Sequence, residues 1–190
     1  MADPADIQRL LGDLARLGTI DSVDTAAGTA RVRIGELVTG DIPWLATRAG
    51  ATRTWSPPSK GEQVLVLSPE GDLAGGLIVG ALSSDAHPAP ASDGSTLTEY
   101  EDHARIGYDP AAHTLTADLP EGATVILNAS GGIRIKGDVE IEGGLSLSGQ
   151  LYAQQAIHSD EDVSAGTVSL QHHVHDKVQA GAAKSGTPVT

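Results

Sequence analysis

The densest group of side chains able to do chemistry lies near the C-terminus, in SLQHHVHDKVQAG, residues 169–181. His173 and His175 are two residues apart, so on a strand both imidazoles leave the same face. One chain then offers two ring nitrogens, fewer than the four that structural zinc takes. Repeated around a three-fold axis, the pair supplies six, an octahedral shell. Imidazole also suits iron, nickel and copper, and Fe²⁺ is the most available metal that accepts six such ligands. The expectation is one Fe²⁺ per three chains, held by His173 and His175. Other residues give weaker signals. His87, His103, His113 and His158 have no partner spacing and read as surface or loop residues. The run Ser159, Asp160, Glu161, Asp162 is a candidate for a hard cation such as Ca²⁺ shared across three chains, against the commoner reading as a solvated face. With no Cys, thiolate catalysis, disulfides and Cys-based zinc sites drop out together. The absence of GxSxG, P-loop and HExxH motifs points the same way, to a protein that is not an enzyme and has no small-molecule substrate.

Three chains must be brought together for such a site, and the preceding segment has a pattern that does so. From Leu127 a six-residue repeat runs LNASGG, IRIKGD, VEIEGG, LSLSGQ, LYAQQA, IHSDED. Leu127, Ile133, Val139, Leu145, Leu151 and Ile157 hold its first position. Ala129, Ile135, Ile141, Leu147, Ala153 and Ser159 hold the third, and Gly131, Gly137, Gly143 and Gly149 the fifth. All are odd-numbered, so in an extended chain they share one face, while Arg134, Lys136, Asp138, Glu140 and Glu142 take the other. One chain cannot bury so narrow a stripe. Either it wraps on itself as the left-handed β-helix of a hexapeptide-repeat acyltransferase, or three chains intertwine around a common axis. Two aliphatics per repeat and too few repeats for a self-standing solenoid favour the intertwined trimer. Parity adds a complication: Val168 and Leu170 are even, which implies a one-residue register shift near Gly166 and would turn His172 inward, so His172 is the alternative ligand.

The elements before the shaft are shorter. Residues 1–18 read as a helix, with Asp3 as cap, Pro4 at its first position, Ile7, Leu10, Leu11, Leu14 and Leu17 on one stripe, and Gly18 as its stop. There is no basic segment followed by an apolar run, so no export signal is expected, and no stretch is apolar for long enough to span a membrane as a helix. Residues 19–85 carry five or so short strands, TIDSV, TARVRIGEL, GDIPWLA, QVLVLS and GLIVGAL, which suit an OB-type barrel. Trp44 and Trp55 flank turns there and read as core or subunit packing. Base stacking is the alternative, with few basic residues around it. Residues 86–96 form a linker, residues 97–170 the shaft and residues 171–190 the apex. The fold class is all-β: N-terminal helix, OB-fold barrel, then an intertwined trimeric β-helix spike with a metal-bound apex.

Composition agrees. The chain has 190 residues with 23 Gly, two Trp, three Tyr and no Phe, and a shared narrow axis accepts Ile, Val, Leu and Gly better than rings. A formal charge of −13, tripled in a trimer, excludes nucleic acid as a partner.

The stretch WSPPSKGEQVLVLSPEGDLAGGLIVGAL, residues 55–82, resembles the baseplate assembly protein V family, the central spike of contractile-tailed phages and tailocins. The resemblance rests on Pro57, Pro58, Gly61, Glu62, Gln63, Val64, Ser68, Pro69, Gly71, Asp72, Leu73 and Gly80, and on Ser169, Leu170, His173 and His175 as the SLxxHxH end of such spikes. It implies a homotrimeric structural spike whose HxH residues bind iron at the apex. It also implies contact with tail-tube hub and baseplate proteins through the N-terminal region, a place at the virion tail tip after synthesis in the host cytoplasm, and puncture of the host outer membrane. Asp176 departs from the Gly often found after HxH in that family. The rival from another class is the trimeric hexapeptide-repeat acyltransferase, which would turn over acyl-CoA.

Overall fold

The computed structural model describes residues 12–174 and residue 181, and the chain divides into two units, residues 1–128 and 129–190. The first opens with a sheet of β1 (Ala15–Asp24), β2 (Thr29–Ile34), β3 (Leu37–Val38), β4 (Ile42–Pro43), β5 (Gln63–Leu67) and β6 (Leu77–Leu82). Antiparallel pairing joins β1 to β2 and β5, β5 to β6, and β2 to β3 and β4. A parallel bridge between Trp44 and Ile78, with the Leu45 N–H donating to the Ile78 carbonyl at 2.8 Å, closes the ring. The circuit β1-β2-β4-β6-β5-β1 is a five-stranded barrel of OB type.

Its core follows from alternation. Ala30 and Val32 of β2, Val64 and Val66 of β5, Ile20, Ile42 and Ile78 are each no more than 3% exposed. The residues between them face outward, as a period of two requires. Burying each Val or Ile side chain contributes about 1.5–3 kcal/mol. The runs at β5 and β6 are therefore one-faced, with Leu65, Leu67 and Val79 half-buried outside the core.

The barrel begins earlier than the sequence reading places it. Helical backbone ends at Leu14, and Ala15 to Gly18, assigned above to the helix, belong to β1 and pair with β5 from Ala15↔Leu67 to Gly18↔Val64. Leu17 is 53% exposed, so it is not part of a buried helical stripe. Gly18 does not stop a helix. A Cβ there would lie 2.4 Å from Val32 Cγ1 and 2.8 Å from the Arg33 carbonyl, so the missing side chain lets β2 lie close against β1. Backbone pairing with β5 outweighs the helical spacing of the apolar residues. The part of the helix read over residues 1–11 lies outside the described residues.

Both turn motifs of residues 55–82 serve the barrel. The Gly61 N–H donates to the Ile20 carbonyl at 2.9 Å, Ile20 N–H to the Glu62 carbonyl at 2.9 Å, and the Glu62 carboxylate accepts the Ser59 N–H at 2.7 Å. In SPEGDL, Gly71 N–H donates to the Ser68 carbonyl at 2.9 Å and Asp72 N–H to that of Pro69 at 3.1 Å. The Asp72 side chain accepts the Ala74 N–H at 2.9 Å, and Leu73 packs against the core.

After the connector come β7 (Thr96–Glu99), β8 (Arg105–Asp109) and β9 (Thr114–Asp118), an antiparallel meander. The start of the segment read as an intertwined shaft therefore pairs with itself. Its turns supply the reason: Asp102 accepts the Ala104 N–H at 3.1 Å, and Asp109 accepts those of Ala111 and Ala112 at 2.8 and 3.3 Å. These local carboxylate turns fold the chain back before another chain is needed. His103 and His113 occupy these turns, which bears out their reading as loop residues.

Candidate functional site

The second unit forms no strand from residue 129 until β10 (Ser164–Ala165) and β11 (Val168–Ser169), which pair Ser164↔Ser169 and Ala165↔Val168 around Gly166 and Thr167. The irregularity expected at Gly166 is thus a chain reversal, not a one-residue slip. Parity counted through Gly166 does not decide which histidine turns inward, because the chain changes direction there.

Past the hairpin the backbone turns again over Leu170 to His172, so His173 is not on a strand and the same-face argument does not apply to it. What orients His173 is hydrogen bonding. Its Nδ1 lies 3.0 Å from the Ser169 carbonyl oxygen and 3.1 Å from that of Leu170, and its backbone N–H donates to Ser169 O at 3.2 Å. Two acceptors at Nδ1 make that nitrogen the protonated one, which leaves the ring lone pair on Nε2. An imidazole tied to a backbone carbonyl through one nitrogen has the usual arrangement of a metal ligand. The donor chemistry at His173 therefore fits a transition metal. His175 lies outside the described residues.

His172 differs. Its backbone N–H donates to the Ser169 hydroxyl at 2.8 Å. Behind both stands Asp162, whose carboxylate takes a side-chain hydrogen bond from Ser169 and the Gln171 N–H at 3.1 Å. These donors, the Ser169 hydroxyl first, hold its carboxyl below the ordinary aspartate range. Sequence reasoning took Asp162 only as part of an acidic run. A carboxylate seven residues before the serine of SLxxHxH was the available signal. Among the described residues, no three His, Asp or Glu side chains converge within one chain.

The aliphatic ladder is the other prominent feature. From Ile133 to Ile157 its large members are between 52% and 69% exposed, and no strand pairing forms between Asp118 and Ser164. The repeat is nevertheless present in the backbone. Bends fall at residues 137, 143, 149, 155 and 161, six apart. Gly137 and Gly143 share almost the same dihedral, φ +142° and +143°, which side-chain-bearing residues rarely adopt.

On the first unit, the Trp44 and Trp55 rings stand 5.3 Å apart at 58°, Trp44 half-buried against the core and Trp55 62% exposed. Trp44 also lines a cleft with Pro57, Pro58, Glu99, Tyr100 and Glu101, a surface without Lys or Arg.

The chain was compared with known proteins. Residues 16–82, the closed barrel, match the Type VI secretion system/phage-baseplate injector OB domain. The spike protein of Escherichia phage P2 is 35% identical over 131 residues, 68% of this chain and 62% of that relative, so the matched stretch spans less than two-thirds of its length. With the barrel circuit and both turn motifs accounted for, residues 16–82 carry the phage-baseplate injector OB domain, and the chain is similar to a phage spike protein.

Proposed function

We propose that this chain is a structural component of a contractile tail, the central spike of a phage or tailocin baseplate, which acts as a homotrimer and does no catalysis. The observation that carries this reading is the exposed aliphatic ladder with its six-residue bends. A self-wrapped coil would cover its ladder within one chain, whereas here every large member is more than half exposed. Three copies would cover it around a common axis, with Gly137 and Gly143 at the bends. The same exposure counts against the hexapeptide-repeat acyltransferase. The relative's description as a spike protein supports the assignment.

In this reading the barrel and the residues before it dock on hub and baseplate proteins, the trimeric shaft transmits axial force, and the tip meets the host outer membrane from its place at the end of the virion tail. Strand edges closed among three chains leave none to peel. At the apex His173 and His175 would hold one Fe²⁺ per trimer. The metal, when bound, supplies coordination bonds that join three chain ends. Elemental analysis with mass in solution tests the whole reading, with three chains and about one iron per trimer expected. Replacing both histidines by Ala should abolish metal binding and leave the barrel folded. A monomer, or unchanged metal in that variant, would overturn it.

A further inference from the structure

The hydrogen bonds of the second unit assign a role to a residue outside the histidine motif. We infer that Asp162 is a positioning residue for His173: through Ser169 and Gln171 it fixes the turn whose carbonyls hold the His173 ring, so that Nε2 is the atom offered to a metal. This rests on the apical metal reading above.

Asp162 Oδ1 accepts the Gln171 N–H at 3.1 Å, and the carbonyl of that same peptide, Leu170 O, stands 3.1 Å from His173 Nδ1. Two further bonds lace the same segment: Leu170 N–H to the Val163 carbonyl at 2.9 Å and Gln171 Nε2 to the Glu161 carbonyl at 3.2 Å. With Ser169 anchored, its carbonyl stands 3.0 Å from His173 Nδ1. Its hydroxyl meanwhile takes the His172 N–H at 2.8 Å. The arrangement separates the two neighbours. His173 is held by ring and backbone and His172 by its backbone, so on this inference the turn presents the His173 ring as the ligand.

Outer partners of metal-bound imidazoles change affinity by about 10–100-fold when lost. The test uses the full-length protein and two readouts. In the first, Fe²⁺-loaded wild type, Asp162→Ala, Ser169→Ala and His172→Ala are challenged with a chelator, with mass in solution recorded in parallel. Asp162→Ala should release iron about 10–100-fold faster while the oligomer stays intact, Ser169→Ala should move the same way, and His172→Ala should match wild type. In the second, ¹⁵N spectra of the metal-free proteins report the His173 tautomer: Nδ1–H in wild type, shifted toward Nε2–H in Asp162→Ala. Wild-type release kinetics together with an unchanged tautomer in Asp162→Ala would overturn the inference. If wild type binds no iron, the apical metal reading fails, and the tautomer comparison still decides the role of Asp162.

Discussion

Arg31 and Asp41 meet across the outer wall of the barrel, with Arg31 Nε 2.8 Å and Nη2 3.3 Å from the two carboxylate oxygens. This pairing holds the Asp41 carboxyl below its ordinary range, the hydrogen bond being the larger cause. Because the folded value lies below the unfolded one, the pair's contribution is full above the ordinary aspartate pKa of about 3.9 and is lost as pH falls through the depressed value. Both groups are solvent-exposed, so the contribution is small and screened by salt. Arg31→Ala should move the Asp41 titration midpoint, followed by carboxyl NMR, back toward that ordinary value. At this scale the sequence was only partly legible. His173 is recognisable from its motif, but a carboxylate's use by a neighbouring backbone depends on where the chain turns. Asp162 therefore read as one of several acids.

Strands of the barrel were legible because alternation in β2 and β5 is set by burial alone. The N-terminal boundary was not, since Leu10, Leu14 and Leu17 satisfy a helical stripe whether or not the chain adopts it. What decides is the strand partner, β5, almost fifty residues later. Gly18→Val tests this account: its side chain would enter the space of Val32 Cγ1 and the Arg33 backbone, with an expected loss of about 2–3 kcal/mol in chemical denaturation of the barrel. A neutral result would place Gly18 away from that close approach. The meander was not legible for a related reason. Alternating residues such as those of β9 look the same whether the neighbouring strand belongs to their own chain or to another. The turns at Asp102 and Asp109 settle the matter. On one face of the meander Ile106 and Tyr108 of β8 lie beside Ala117 and Leu115 of β9, and Leu115 is 77% exposed.

At the scale of the molecule, a buried ladder and a solvated one predict different responses to charge. Ile141→Asp would place a carboxylate from each of three chains at a common axis, where burial and like charge both oppose ionisation. The proposed trimer should give way to monomers by light scattering, while the circular dichroism of the barrel persists. An intact trimer would remove the ladder from the axis. The formal charge of −13 per chain opposes association, so added salt should favour the trimer.

The bare stretch between Asp118 and Ser164 has a kinetic consequence. In the proposed trimer, a stretch that forms no strand pairing within one chain would fold only once two other chains join it. The barrel should appear at a rate independent of protein concentration, and the shaft at one that rises steeply with it. Newly made chains would then depend on neighbours emerging nearby, and a diluted one would keep a folded head above a protease-sensitive tail.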